Sequence, residues 1–268
     1  MAPMSTLRIT VAGKGGTGKT VVSASLARFF GREGHRVLAV DGDSNPVLAV
    51  SLGVPLERIA ERTPIPTDFW VAVERLGEGR VAVLVDDPAE LTERHGLSGP
   101  DNVTLLAAPV ELNEGCTSDA GVRSMLGVML GKHGFDRVIT DFEAGIDEPA
   151  WALGGFFNPA DVLVVVATPN PIAMKTARVI IKFAREAEVP RIVGIANQLT
   201  NDYERLEVEG GFTEAGVECV ARIPWDTAIA RADADGSSPL DGATGSPALT
   251  ALRDLALRLE RDASTTAA

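Results

Sequence analysis

Short apolar runs alternate along the chain with longer segments in which apolar residues recur at helical spacing. Runs of this kind, rich in β-branched residues, are typical of strands buried on both faces of a sheet. Strands are predicted over residues 7–12, 36–41, 103–107, 137–141, 162–167, 192–196 and 217–223. Helices are predicted over residues 21–30, 120–132, 173–187 and 247–261. The alternation predicts an α/β fold, a mostly parallel twisted sheet of about seven strands with helices on both faces.

A single domain is predicted to span residues 1–268. Residues 57–101 are less regular and contain four prolines, which favours an inserted element over the site rather than a second domain. Residues 237–246 are rich in Gly, Ser and Pro and predict a loop. The last residues, 264–268, are expected to fray.

The last predicted helix has two interpretations. Its apolar stripe, at helical spacing, consists of Leu249, Leu252, Leu255, Ala256 and Leu259. A membrane-targeting helix would carry basic flanks, whereas the arginines of this segment are offset by neighbouring aspartates and glutamates. We therefore expect the stripe to dock on the core.

Composition argues against several classes of partner. The 268 residues are 45% hydrophobic and 23% charged, with a formal net charge of −12, and this acidic balance opposes non-specific binding to DNA or to anionic lipid. No run of four or more Lys or Arg occurs, and no apolar run approaches the length of a membrane span. The N-terminus lacks a secretory pattern, so a cytoplasmic location is expected. The histidines, interpreted as surface residues without metal-ligand spacing, are His35, His95 and His133.

Residues 13–20, Gly-Lys-Gly-Gly-Thr-Gly-Lys-Thr, carry the clearest chemistry in the chain. They match G-x-x-x-x-G-K-[ST], the phosphate-binding loop of nucleoside triphosphatases, and they lie between a predicted strand and a predicted helix. In this setting backbone N–H groups and a helix N-terminus converge on an anion. A glycine-rich surface turn is the alternative, but strand, loop, lysine and threonine together favour an NTP-binding site.

Each residue of the loop has a predicted task. The glycines that let the chain wrap closely around phosphates are Gly13, Gly15, Gly16 and Gly18. Lys19 is expected to reach the β- and γ-phosphates, and the Thr20 hydroxyl to ligate Mg²⁺. Thr17 and Val21 complete the predicted nucleotide contacts. Lys14, in contrast, has no role in an ordinary phosphate loop.

Further polar residues end predicted strands, where the active sites of parallel sheets lie. Asp41 and Asp43 follow the second strand on the same side of the chain, although an Asp-rich turn is the alternative. Asp141 ends another hydrophobic strand and has the form of a Mg²⁺-directed carboxylate. Asn197 is suited to hydrogen-bond an adenine ring because its amide both donates and accepts, and Pro224 to offer backbone contacts to the base.

The chain resembles the MinD/ParA family in these residues. Lys14 in the phosphate loop is that family's hallmark, and Asp41, Asp43, Asp141 and Asn197 follow in the expected order. The resemblance implies a P-loop NTPase fold and a homodimer that sandwiches two ATP molecules. It also implies that Lys14 crosses to the partner's phosphates and that Asp43 positions the hydrolytic water. Asp41 and Asp141 are implied to act through Mg²⁺ and its waters.

Within the family, three segments resemble the nickel-insertion ATPases that mature carbon monoxide dehydrogenase, the CooC type. They are residues 41–46, 115–126 and 141–145. Those ATPases carry Cys-x-Cys where this chain has Cys116-Thr117-Ser118, so one thiolate per subunit remains. Two interpretations of Cys116 stay open. It either pairs with its mate across a dimer, as half of a tetrahedral Ni²⁺ or Zn²⁺ site, or begins a helix without any metal function.

Three functions are compatible with this resemblance, all of them using ATP/ADP and Mg²⁺ in a slow, switch-type cycle. The first is a CooC-like maturation ATPase that serves a metalloenzyme. The second is a positioning or partition ATPase, which needs a basic DNA-binding face or an amphipathic membrane helix, and neither is evident in the sequence. The third is a metal-free regulatory switch that binds a client or partner protein in its ATP state. The matching segments favour the first.

Overall fold

The computed structural model describes residues 6–42, 47–61, 63, 65, 70–75, 79–84, 87–107, 134–143, 160–243 and 245–266. Ten strands form in these ranges. In chain order they are β1 (Leu7–Gly13), β2 (Val37–Asp41), β3 (Trp70–Arg75), β4 (Gly79–Leu84), β5 (Leu97–Ser98), β6 (Val103–Ala107), β7 (Arg137–Glu143), β8 (Val162–Ala167), β9 (Ile192–Leu199) and β10 (Glu218–Pro224).

The helices of the described ranges follow the strands in alternation. They are α1 (Lys19–Arg32), α2 (Leu48–Leu52), α3 (Leu56–Ala60), α4 (Pro88–His95), α5 (Pro171–Glu186), α6 (Asp202–Glu214), α7 (Thr227–Ala234), α8 (Pro239–Gly242) and α9 (Pro247–Thr266). None of these helices combines the length and the hydropathy that crossing a membrane requires.

Eight strands form one sheet in the order β10-β9-β8-β1-β7-β2-β6-β5. Neighbours are parallel except β5, which pairs antiparallel with β6. Strands β3 and β4 pair separately as an antiparallel hairpin. The chain leaves β1 towards β2 on one side of the sheet and reaches β8 on the other. This reversal makes the carboxyl end of β1 a topological switch point, the place where open α/β sheets bind ligands.

The sheet separates two hydrophobic cores, because successive side chains of a strand face opposite sides. In β8, Val164 and Val166 join the core formed with α1, α2 and α9. Leu163 and Val165 of the same strand join the core formed with α5 and α6. A strand covered on both faces in this way needs apolar residues at every position, which explains the unbroken run over residues 162–167.

The predicted α/β class and all seven predicted strands are confirmed, with ends that differ by up to three residues. The predicted docking of the last helix is also confirmed. Leu252, Leu255 and Leu259 are almost fully buried against the core that contains α1 and β10. The predicted helix over residues 120–132 lies outside the described residues.

Several elements were not predicted. The irregular region 57–101 contains α3, the β3–β4 hairpin, α4 and β5. Helix α6 was missed because its Gly210-Gly211 pair disfavours a helix. A Cβ atom at Gly211 would lie 2.8 Å from Met174 Sδ of α5, so a larger residue there would require the Met174 side chain to move. Asn201 begins α6 by accepting a hydrogen bond of 3.0 Å from Glu204 N.

Two expectations are corrected, and a third stays a prediction. The loop predicted over residues 237–246 contains α8, which Ser238 caps. The fraying expected over residues 264–268 stays a prediction; α9 extends through Thr266, and residues 267–268 lie outside the described residues. His35 is not a simple surface residue. Its side chain is 14% exposed and its Nε2 lies 2.6 Å from Glu260 Oε1.

Candidate functional site

The loop over residues 14–18 joins β1 to α1 at the switch point of the sheet. Gly16 and Gly18 have φ of 80° and 87°, in the left-handed region that favours glycine. A Cβ atom at Gly18 would lie 2.5 Å from Asn197 Nδ2, and one at Gly13 would lie 2.5 Å from the Val166 carbonyl oxygen. The glycine spacing is therefore required by two close contacts with neighbouring strands, as well as by the turn itself.

The loop is closed by its own hydrogen bonds around the carbonyl of Lys14. Thr17 donates to this oxygen twice, from its backbone N at 3.2 Å and from its hydroxyl at 2.7 Å. Lys19 Nζ donates to the same oxygen at 3.4 Å. Lys19 is 5% exposed, so its ammonium group is held over the loop, where the N-terminus of α1 begins. Such a concentration of positive charge and N–H groups suits a polyphosphate.

Asp41 and Asp141 lie directly opposite each other on the neighbouring strands β2 and β7. Both residues are 1% exposed. Asp141 Oδ1 accepts a hydrogen bond from the Ser23 hydroxyl of α1 at 3.0 Å, and Asp41 Oδ2 accepts one from Leu48 N at 2.9 Å. Ser23 was not predicted as a site residue. Its position one turn after Lys19, on a helix of small residues, is the only sequence signal for it.

The oxygen donors of this edge fit a magnesium ion in type. Thr20 has a hydroxyl at the start of α1, and Asp41 and Asp141 supply carboxylates at adjacent strand ends. Mg²⁺ prefers such hard oxygen ligands and keeps several waters, which agrees with carboxylates placed just behind the loop. Asp43 and Cys116 lie outside the described residues. Among the residues that are described, no group of three His, Cys, Asp or Glu could hold a metal ion.

Asn197 and Gln198 hold the phosphate loop from β9. Asn197 Nδ2 donates to the Thr17 carbonyl at 2.7 Å, and Gln198 Nε2 donates to the Gly16 carbonyl at 3.2 Å. Gln198 adopts φ of 59°, a conformation that non-glycine residues rarely take. Asn197 was predicted to contact the base, and the structure gives it a second task as a support for the loop. Gln198 was missed.

A cavity of about 420 Å³ extends from the loop towards the ends of β9 and β10. Its first end is formed by loop and α1 residues that include Gly18, Lys19, Thr20 and Val21. Its other end is formed by Asn197, Pro224, Trp225 and residues of α7. All but two of the described residues predicted to contact the nucleotide therefore line this one cavity. The two exceptions are Gly13 and Thr17.

Asp226 fixes the far wall of the cavity by capping α7. One carboxylate oxygen accepts from Ala228 N at 2.8 Å, and the other accepts from the Ser246 hydroxyl at 2.6 Å. The hydrogen bond from Ser246 lowers the pKa of Asp226, and backbone N–H groups at Ala228 and beyond add to the effect. The carboxylate is thereby held ionised as a helix cap.

Lys14 lines a groove that adjoins this cavity. The groove has a volume of about 710 Å³, shares Gly15, Gly16 and Gln198 with the cavity, and adds Thr17, Glu204 and residues 168–173. Lys19 lines only the first cavity. Lys14 and Lys19 therefore line two adjoining spaces, one lysine in each.

Comparison with known proteins places this site in context. The family described as the CobQ/CobB/MinD/ParA nucleotide binding domain matches residues 9–240. The chain is 32% identical over 245 residues to the carbon monoxide dehydrogenase accessory protein CooC of Rhodospirillum rubrum, covering 88% of this chain and 90% of that protein.

Two solved structures share the fold. A ParA family ATPase from Chlorobium tepidum TLS has a TM-score of 0.67 at 24% identity, covering 94% of this chain and 98% of that one. The septum site-determining protein MinD of Pyrococcus horikoshii OT3, complexed with Mg-ADP, has a TM-score of 0.67 at 22% identity, covering 97% and 98%.

Proposed function

The chain belongs to the CobQ/CobB/MinD/ParA nucleotide-binding family, and from this membership we propose that it is a Mg²⁺-dependent ATPase acting as a nucleotide-switched homodimer. One observation carries the proposal. The phosphate loop lines the 420 Å³ cavity, and the helix that follows this loop is hydrogen-bonded through Ser23 to Asp141, which pairs in register with Asp41 at the carboxyl ends of two neighbouring strands. Phosphoryl transfer depends mainly on positioning and on neutralising charge, and these groups are suited to both tasks.

Within one subunit, the loop N–H groups and Lys19 bind the β- and γ-phosphates of ATP. Thr20, Asp41 and Asp141 would hold Mg²⁺, the two aspartates through water, and the bound ion would neutralise part of the phosphate charge. Gly13, Gly15, Gly16, Thr17 and Gly18 shape the loop, and Val21, Asn197 and Pro224 contact the nucleoside. Asp43, one residue beyond Gly42, positions the water that attacks the γ-phosphate.

Dimer formation completes the site through Lys14. Lys14 lines a groove that adjoins the nucleotide cavity and is not among the residues that line the cavity itself, which supports a role for its ammonium group at the γ-phosphate held by a second copy. A cation supplied in trans stabilises the charge that develops in phosphoryl transfer. ATP binding therefore controls dimerisation, and hydrolysis releases the dimer as a slow switch.

The proposed biological role is a CooC-like accessory ATPase for a metalloenzyme. Its support is the similarity to the Rhodospirillum rubrum protein over most of both chains. Cys116 is the residue through which a dimer would hold Ni²⁺ or Zn²⁺, one thiolate from each subunit. The acidic net charge of −12 disfavours DNA or anionic membrane as the working surface, which leaves a client protein as the partner.

A metal titration tests this role. The protein is titrated with Ni²⁺ and with Zn²⁺ in the presence of ADP or of a non-hydrolysable ATP analogue, and the metal bound per dimer is counted. About one ion per dimer with the analogue, lost in Cys116→Ala, is the expected result. Cys219→Ala is the matched control, because Cys219 lies in β10 and burial raises the pKa of its thiol. Binding that survives Cys116→Ala contradicts the role.

The second candidate is a metal-free switch that binds a partner protein in the ATP state. The observation that favours it is the Cys116-Thr117-Ser118 sequence, which lacks the second cysteine of the CooC type. Dimerisation with the ATP analogue but no metal retained at any stoichiometry would select this candidate. ATP-dependent co-sedimentation with DNA or liposomes would instead select a positioning ATPase.

A further inference from the structure

Trp225 is the first residue after β10 and one of the three tryptophans of the chain. Its side chain is half exposed, at 50%. Tryptophan is usually well buried because its large apolar surface is costly to hydrate. Trp225 lines the same cavity as the phosphate loop, so a ligand in that cavity could cover the indole.

The cavity changes character from one end to the other. Lys19 and Thr20 place charge and hydroxyl chemistry at the loop end, while the other end combines the apolar Pro224, Trp225 and Ile229 with the carboxylates of Asp226 and Asp233. A ligand with an anionic tail and a flat aromatic head that bears N–H donors matches this arrangement. Building on the ATPase proposed above, we propose that the Trp225 indole stacks on the nucleotide base and supplies much of the base-dependent affinity.

The backbone that carries the indole is fixed before any ligand arrives. Trp225 N donates to the Leu199 carbonyl at 2.8 Å, which ties the residue to the end of β9. Asp226, the next residue, is fixed as the cap of α7 by hydrogen bonds to both of its carboxylate oxygens. A backbone held on both sides has less conformational freedom to lose when a base binds, and this favours affinity.

Stacking and edge recognition are divided between two residues. Any base has a π-face, so stacking on Trp225 tolerates different bases. Asp226 is occupied as a helix cap. Asn197 is 8% exposed in the same cavity; its Nδ2 donates to the Thr17 carbonyl, and its Oδ1 is an acceptor suited to the amino group of adenine. Trp225 accordingly contributes affinity for ADP and GDP alike, and Asn197 contributes the preference between them.

Calorimetric titration with Mg-ADP and with Mg-pyrophosphate tests the stacking role. Trp225→Ala is expected to weaken ADP binding by roughly 5- to 100-fold, the range for removing one base–aromatic contact, and to leave pyrophosphate binding unchanged. Trp225→Phe should retain most of the ADP affinity. Tyr203→Ala, which removes an aromatic ring that is 76% exposed outside the cavity, is the matched control and should behave as the wild type.

Two results would overturn the inference: unchanged ADP affinity in Trp225→Ala, or equal weakening for ADP and pyrophosphate. A fluorescence titration gives an independent reading. In a Trp70→Phe/Trp151→Phe background, emission from Trp225 should change on adding ADP and not on adding pyrophosphate. Failure of the wild-type protein to bind ADP would contradict the proposed ATPase. If the wild type binds ADP and Trp225→Ala binds it with the same affinity, only the stacking role of Trp225 is contradicted.

Discussion

Ser23 on the first helix donates a 3.0 Å hydrogen bond to Asp141 on β7. Ser23 is fully buried and Asp141 is 1% exposed, so this bond joins the helix that begins at the phosphate loop to the proposed Mg²⁺-directed carboxylate. A buried hydrogen bond to a charged group contributes more to the stability of the folded state than a hydrogen bond between neutral groups does. The helix and the acidic strand end are thereby fixed relative to each other before nucleotide binds.

Ser23→Ala should lower the free energy of unfolding by about 1–3 kcal/mol, because a buried carboxylate loses a donor. The concentration of Mg²⁺ needed for half-maximal ATP turnover should rise as well. Ser25→Ala is a matched control on the same helix. Ser25 is also fully buried, and its hydroxyl has no hydrogen-bond partner in the described part of the chain. Urea unfolding that shows equal losses for both variants would contradict the prediction.

The two loop lysines should separate binding from turnover. Lys19→Ala should weaken ADP binding by about 10- to 100-fold, since a buried charge-assisted contact to the phosphates is removed. Lys14→Ala should bind ADP almost normally, yet lose ATP turnover by about 10³-fold and fail to dimerise with an ATP analogue. Calorimetry, steady-state hydrolysis and light scattering measure the three properties. Normal ATP turnover in Lys14→Ala would refute the proposal that Lys14 acts on the ATP held by the partner subunit.

Gly18→Ala should destabilise the protein more than Gly16→Ala does. Both glycines have positive φ, so both substitutions strain the backbone. A Cβ atom at Gly18 would also meet Asn197 Nδ2 at 2.5 Å, whereas one at Gly16 meets nothing within 4 Å. We expect a further loss of about 1 kcal/mol or more at Gly18 in urea unfolding. Adding Asn197→Ala to Gly18→Ala should relieve part of that loss, and a purely additive pair would argue against the clash.

Glu260 should make stability depend on pH in acid. Burial opposes ionisation of this carboxylate, but hydrogen bonds from Arg137 and the charge of His35 outweigh it and lower the pKa of Glu260. A lowered folded-state pKa contributes stability above the unfolded value of about 4.3, and that contribution is lost as pH falls through the folded value. The unfolding temperature of the wild type should therefore exceed that of Glu260→Gln most at neutral pH. The difference in unfolding temperature should close below about pH 4.

Thermal unfolding between pH 3 and pH 7 measures this gap. Glu186→Gln is the control, because the Glu186 side chain is 56% exposed and its Lys182 partner is 3.9 Å away. Exposed ion pairs of this kind contribute little to the free energy of unfolding. A constant difference between wild type and Glu260→Gln across the pH range would show that the cluster acts through packing alone.

Local patterns identify the strands and the loop, but they carry no information on contacts between distant residues. Lys19 and Thr20 are recognisable from spacing, since a phosphate loop needs these residues in one continuous segment. Gln198 and Ser23 are not, because each acts through a hydrogen bond to a residue more than a hundred positions away. Helix α6 was missed because its Gly210-Gly211 pair disfavours a helix locally, whereas in the structure Gly211 lies beside Met174 of α5.

The sequence by itself determined the α/β class, the order of the strands along the chain, and the phosphate loop with its two lysines. Those features depend on periodicity and on short spacings. Only the tertiary structure decided that Asp41 faces Asp141 across a strand pair, that Lys14 and Lys19 line different spaces, and that Trp225 shares a cavity with the loop. These relationships arise from the order in which strands pair, which is set by the packing of the whole sheet.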